Sequence, residues 1–197
     1  MEKSKLNLRF RVITLMVFVV AMCRLLPSPP NFAPIGAMAL FGAAYFTKRY
    51  WAFLIPVASM WISDLILNNT IYGQYFDHFV WFSSFSLFTY GAFTLIVVLG
   101  MFTLKKVRVS NLLFSALGTS VIFFLVSNFG VWLMFNMYPK TLSGLMACYV
   151  AGIPFFHNTV MGDLVYTSAM FVIFELYARK FPQLAYCPAT MANSIID

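Results

Sequence analysis

Charge is scarce in this chain. Only 10% of its 197 residues are Asp, Glu, Lys or Arg, against about a quarter in a soluble domain. That is too little polar surface to cover a water-exposed globule. With 61% hydrophobic residues and a mean hydropathy of +0.83, most of the chain is expected to have lipid as its solvent. Histidine is scarcer still. His78 and His157 are the only two, so there is no H-E-x-x-H and no paired-His metal site. Cysteine is limited to Cys23, Cys148 and Cys187, an odd set without metal-ligand spacing, which argues against a complete disulfide framework. The absence of G-x-x-x-x-G-K-[ST] excludes a P-loop ATP motor within the chain, and G-x-S-x-G is also missing. The sequence therefore calls for no cofactor and no metal, and it does not read as an enzyme.

The basic residues that are present form a pattern. Eleven of the thirteen Lys and Arg fall in four clusters: Lys3/Lys5/Arg9/Arg11, Lys48/Arg49, Lys105/Lys106/Arg108 and Arg179/Lys180. Basic residues are retained on the cytoplasmic side of a membrane. An even number of crossings must then separate each cluster from the next. The pattern predicts an all-α polytopic bundle of six transmembrane helices with both termini cytoplasmic. The net charge of +7 is accounted for by clusters that can meet anionic lipid, and no nucleic-acid partner is expected.

The predicted spans are about 10–26, 33–47, 50–67, 80–104, 112–135 and 158–178. The first apolar run has no clear small-x-small cleavage site and continues to Arg24, so it reads as a mature span rather than a signal peptide. The second span is short and rich in small residues (Gly36, Ala37, Ala39, Gly42, Ala43, Ala44), a surface that lets helices approach closely. Thr141 to Phe156 is uncharged, with two glycines and Pro154, and reads as a re-entrant or interfacial segment. Residues 1–180 form a single transmembrane domain on this reading, and 181–197 a polar cytoplasmic tail.

An ionisable residue inside a span is costly and marks a candidate site. Arg24, Asp64 and Asp163 are the three such residues, and the topology places all of them in the outer third of the bilayer. Asn128, Trp132, His157, Asn158 and Tyr166 fall at a similar depth and complete the candidate ligand-binding set. Aromatic walls with a few polar groups suit a planar organic solute. Arg24 is expected to meet an anionic ligand group or to pair with Asp64 or Asp163. Glu175 and Arg179, four residues apart, read as an ordinary helix-surface ion pair.

Several strings carry a resemblance: Arg24-Leu25-Leu26-Pro27, Asn31 to Gly42, Ser63-Asp64-Leu65, Asn128-Phe129-Gly130-Val131-Trp132, and Phe155 through Tyr166. Over residues 20–178 they resemble an uncharacterised bacterial family of small six-helix integral membrane proteins. That family is in turn similar to the substrate-binding S components of energy-coupling-factor transporters. The resemblance implies a six-helix protein of the bacterial inner membrane that captures a small, vitamin-type solute from outside. Its partners would be a transmembrane coupling protein and two ATPases. The A-x-x-x-A docking motif that S components often carry in helix 1 appears here in span 2, as Ala39 and Ala43. The segment 141–156 is then expected to act as a lid. Two other functions fit the residues: an ion- or proton-coupled small carrier using Asp64 and Asp163, and a structural or assembly membrane protein whose charges only fasten helices.

Overall fold

Long apolar runs interrupted by Pro and Gly dictate helices here, because only helices satisfy their own backbone groups in lipid without a closed barrel. The structure, a computed structural model, describes residues 2–185, with side chains from Leu8 to Leu184. Its regular elements are all helical: α1 (Glu2–Met22), α2 (Ile35–Tyr45), α3 (Arg49–Asn69), α4 (Ser86–Thr103), α5 (Val109–Met134), α6 (Leu142–Lys180) and the short α7 (Pro182–Ala185). Four of them, α3 to α6, are long and apolar enough to cross a membrane.

The centre of the bundle is α2. It has 11 residues, about 17 Å of helix, which is too short for a hydrocarbon layer of about 30 Å. Protein surrounds it instead: Ala37, Met38, Ala39, Leu40 and Phe41 are wholly buried, and α1, α3, α4, α5 and α6 all pack on it. Its small residues make this possible. A side chain at Gly42 would lie 3.2 Å from the Ala52 carbonyl oxygen and 3.3 Å from the Pro56 ring on α3. Proline at position 56 frees that same carbonyl by removing the N–H four residues on.

The sequence divides 141–156 from a span beginning at Asn158, but the structure joins them. α6 is one unbroken helix of 39 residues, about 58 Å long. The physical reason lies on α5, which runs antiparallel to it. Gly152 leaves room for the Asn128 side chain, the Cys148 thiol meets the Asn128 carbonyl at 3.4 Å, and the Tyr149 hydroxyl donates to the Leu125 carbonyl at 2.9 Å. The glycine read as a helix-weakening signal is thus a packing site. The connecting turn is closed by Thr141, whose hydroxyl accepts from the Gly144 N–H, and by Lys140, whose ammonium donates to the Trp132 and Phe135 carbonyls at the end of α5.

At the opposite end of α6, Glu175 accepts a 2.5 Å bond from the Tyr45 hydroxyl rather than pairing with Arg179. Arg9 donates to the carbonyls of Tyr45 and Leu184, and Phe10 packs on Trp51. These contacts gather α1, α2, α3, α6 and α7 at one end. The tail expected from 181 therefore starts as a docked helix with Leu184 buried, and its remaining residues, Cys187 among them, lie outside the described residues. Tyr45→Phe keeps the ring contacts to Phe41, Phe171 and Phe174 and removes only the hydroxyl. It is expected to cost about 1 kcal/mol, read as a lower apparent unfolding temperature in detergent. An unchanged temperature would show that the Tyr45–Glu175 bond adds nothing.

Candidate solute-binding cavity

After a short 3-10 turn at Cys23–Leu25 the chain cannot continue as a helix, because Pro27, Pro29, Pro30 and Pro34 lack the N–H groups a helix needs. It turns at Asn31, which has a positive φ of 64°, and dips back toward the bundle. The missing side chain of Gly162 lets Phe32 and Ala33 lie directly on α6. This folded-in loop delivers Pro34 to the start of α2, so the N-terminus of α2 opens inside the protein.

A cavity of about 390 Å³ lies there. One wall is the loop itself, through Ser28, Pro29, Asn31 and Phe32. The opposite side comes from Asp64, Leu67 and Asn68 on α3, Tyr72, Ser83 and Phe85 of the α3–α4 loop, and Ser86 and Thr89 on α4. Its floor is formed by Gly36 of α2, Thr119 and Phe123 of α5, and Thr159 and Asp163 of α6.

Two polar clusters border it. In the first, Arg24 forms a 2.7 Å ion pair with Asp64. Its other nitrogen donates to the Ser63 hydroxyl at 2.6 Å and to the Met60 carbonyl at 3.4 Å, and the Tyr90 hydroxyl donates to Asp64 at 2.8 Å. The guanidinium therefore fastens the end of α1 to α3. In the second, Asp163 is 3% exposed, accepts 2.7 Å from the Ser120 hydroxyl and lies with its other carboxylate oxygen against Gly36 in the first turn of α2. No side chain of α2 caps its own N-terminus. Asp163, on another helix, supplies the anion that a helix N-terminus attracts.

The sequence-predicted residues sort into three groups. Arg24, Asp64 and Asp163 line the cavity together. Asn158 and Tyr166 stand behind its wall: the Asn158 amide donates to the Pro30 carbonyl at 3.0 Å, and the Tyr166 ring sits 5.5 Å from that of Phe32. Asn128, Trp132 and His157 are not part of the lining. Asn128 bonds to Phe124 and meets Gly152, the Trp132 indole donates to the Pro139 carbonyl, and His157 lies 2.6 Å from the Pro154 carbonyl. Asn128 and His157 thus bond back to carbonyls one turn earlier in their own helices, and Trp132 bonds to the α5–α6 turn. The segment 141–156 contributes nothing to the lining, and the loops 26–34 and 70–85 border the cavity where a lid was expected. The cavity's aromatic lining comes from Phe32, Tyr72, Phe85 and Phe123. Sequence reasoning also missed Ser63, Ser120, Thr119 and Tyr90. Their one signal is polarity inside an apolar run, as in Gly118-Thr119-Ser120.

Residues 4–184 match a family described as Family of unknown function (DUF6580). The chain belongs to that family. No curated protein and no solved structure matches it. The DUF6580 chain holds no cluster of three or more His, Cys, Asp or Glu suited to a metal ion among its described residues.

Proposed function

We propose that this DUF6580 protein is a membrane-embedded solute-binding and uptake protein, similar in organisation to an S component, which captures a small organic solute from outside. One observation carries the reading: in a chain with so few charges, three distant ones, Arg24, Asp64 and Asp163, border one cavity. Its size falls within the range of about 300–1,000 Å³ typical of small-molecule sites. The lining mixes hydroxyls and amides with four aromatic rings, as a vitamin-type solute requires.

On this reading the chain crosses a bacterial inner membrane six times: the four long apolar helices and α1 each cross, and the sixth crossing is made by the folded-in loop 26–34 together with the protein-enclosed α2. The basic clusters, and with them both termini, face the cytoplasm. The gathering of Arg9, Lys48 and Lys180 segments at one end of the bundle supports that orientation. Energy comes from a transmembrane coupling protein with ATPases, since the chain lacks a phosphate-binding loop.

Purification in mild detergent followed by mass spectrometry of any retained small molecule tests the proposal. A stoichiometric solute is expected, lost or much reduced in Asp163→Asn while the protein stays monodisperse. An empty protein that gives no thermal shift with a vitamin panel would sink the reading. A second reading, an ion- or proton-coupled carrier, is favoured by Asp163 itself, which bonds to a hydroxyl rather than to a cation. Uptake that survives ATP depletion and collapses with an uncoupler would select it.

A further inference from the structure

The charges bordering the cavity are one guanidinium and two carboxylates. The guanidinium is already committed. Arg24 uses its nitrogens on Asp64, Ser63 and the Met60 carbonyl, so it offers an incoming anion little. Asp163 is left over. When Asp163 is ionised, the N-terminus of α2 offsets about half a unit of its charge, and the remainder stays at the cavity floor. An ionised carboxylate has about four acceptor positions. Ser120 occupies one of them.

Two further observations point the same way. Thr119, 1% exposed and part of the floor, has a hydroxyl oxygen with no hydrogen-bond partner. Buried polar atoms are nearly always satisfied, so this one marks an incomplete environment. The aromatic faces of Phe32, Tyr72, Phe85 and Phe123 around the cavity attract a cation in addition.

We propose, resting on the solute-binding reading above, that the solute is an organic cation, an ammonium or protonated nitrogen heterocycle, whose charged end is taken by Asp163 and Thr119 at the cavity floor. The anionic ligand group expected for Arg24 is replaced by Asp64.

Matched probes test the charge assignment: phenethylamine, phenethyl alcohol and 3-phenylpropionate, and the indole set tryptamine, tryptophol and indole-3-propionate. Binding to the full chain in detergent is read by thermal shift and equilibrium dialysis, and any co-purified molecule is assigned a charge by mass spectrometry. An ammonium probe is expected to bind at least about tenfold more tightly than its neutral and anionic partners. Asp163→Asn is expected to erase that ratio, and the isosteric Thr119→Val to weaken the ammonium probe several-fold with the fold intact. A neutral or anionic probe that binds best, or a co-purified anion, overturns the charge assignment and leaves the solute-binding reading standing. If no probe of any charge binds and nothing co-purifies, the solute-binding reading falls and this inference falls with it.

Discussion

Gly36→Ala is expected to destabilise the protein severely, although alanine is the better helix former by about 1 kcal/mol. A Cβ at position 36 would collide with the Thr119 methyl and with an Asp163 carboxylate oxygen. Both neighbours are almost fully buried and cannot swing away. The start of α2 must then lift from α6. This draws the N-terminus of α2 away from the Asp163 carboxylate in a dry site. Overpacking of this kind costs about 1–3 kcal/mol, and the lost attraction between the carboxylate and the helix N-terminus adds up to about 2 kcal/mol, so steric cost outweighs helix propensity. The apparent unfolding temperature is expected to drop by about 5–10 °C, using about 2–4 °C per kcal/mol for a chain of this size. Gly91→Ala provides the control, because nothing lies within 4 Å of a Cβ there, and it is expected to stabilise α4 slightly. Equal stability of Gly36→Ala and the parent would show that α2 does not rest on Asp163.

The second large effect is non-additivity at Arg24 and Asp64. The two side chains are only 13% and 16% exposed, so removal of either strands the other in a poorly solvated place. Arg24→Met is expected to cost about 3 kcal/mol, near the lower end for breaking a buried pair, because Asp64 retains the Tyr90 hydroxyl. Asp64→Leu is expected to cost a similar amount, since Arg24 keeps only Ser63 and a carbonyl. The double variant Arg24→Met/Asp64→Leu removes both charges and is expected to be more stable than either single one. A coupling energy above about 1 kcal/mol in the double-variant cycle is the predicted result. Simple additivity would mean that the pair does not join α1 to α3.

Much of the fold is legible in the residues. The apolar runs at 50–67, 80–104 and 112–135 each contain most of one helix, α3, α4 and α5, and Pro27 to Pro34 lie in the non-helical loop before α2. What misled was local. Gly144, Gly152 and Pro154 read as a weakened segment, because a sequence window cannot display the Pro139 backbone and the Asn128 side chain that fill the space those glycines leave. The same blindness displaced Asn128, Trp132 and His157. Each is polar at the right depth, and each spends its polarity on a neighbouring carbonyl.

The candidate site divides in the same way. Burial cost alone singles out Arg24, Asp64 and Asp163, since a charge in an apolar run needs a partner or a cavity. Which charge pairs with which was open to the sequence, for it depends on distances between segments 40 to 140 residues apart. The tertiary structure gives Arg24 to Asp64 and turns Asp163 toward α2. Composition determined that this chain is helical and apolar enough for a membrane, because solvation acts on each segment separately. Packing decided that a short central helix starts at a buried carboxylate, because that contact exists only once α2, α5 and α6 have met.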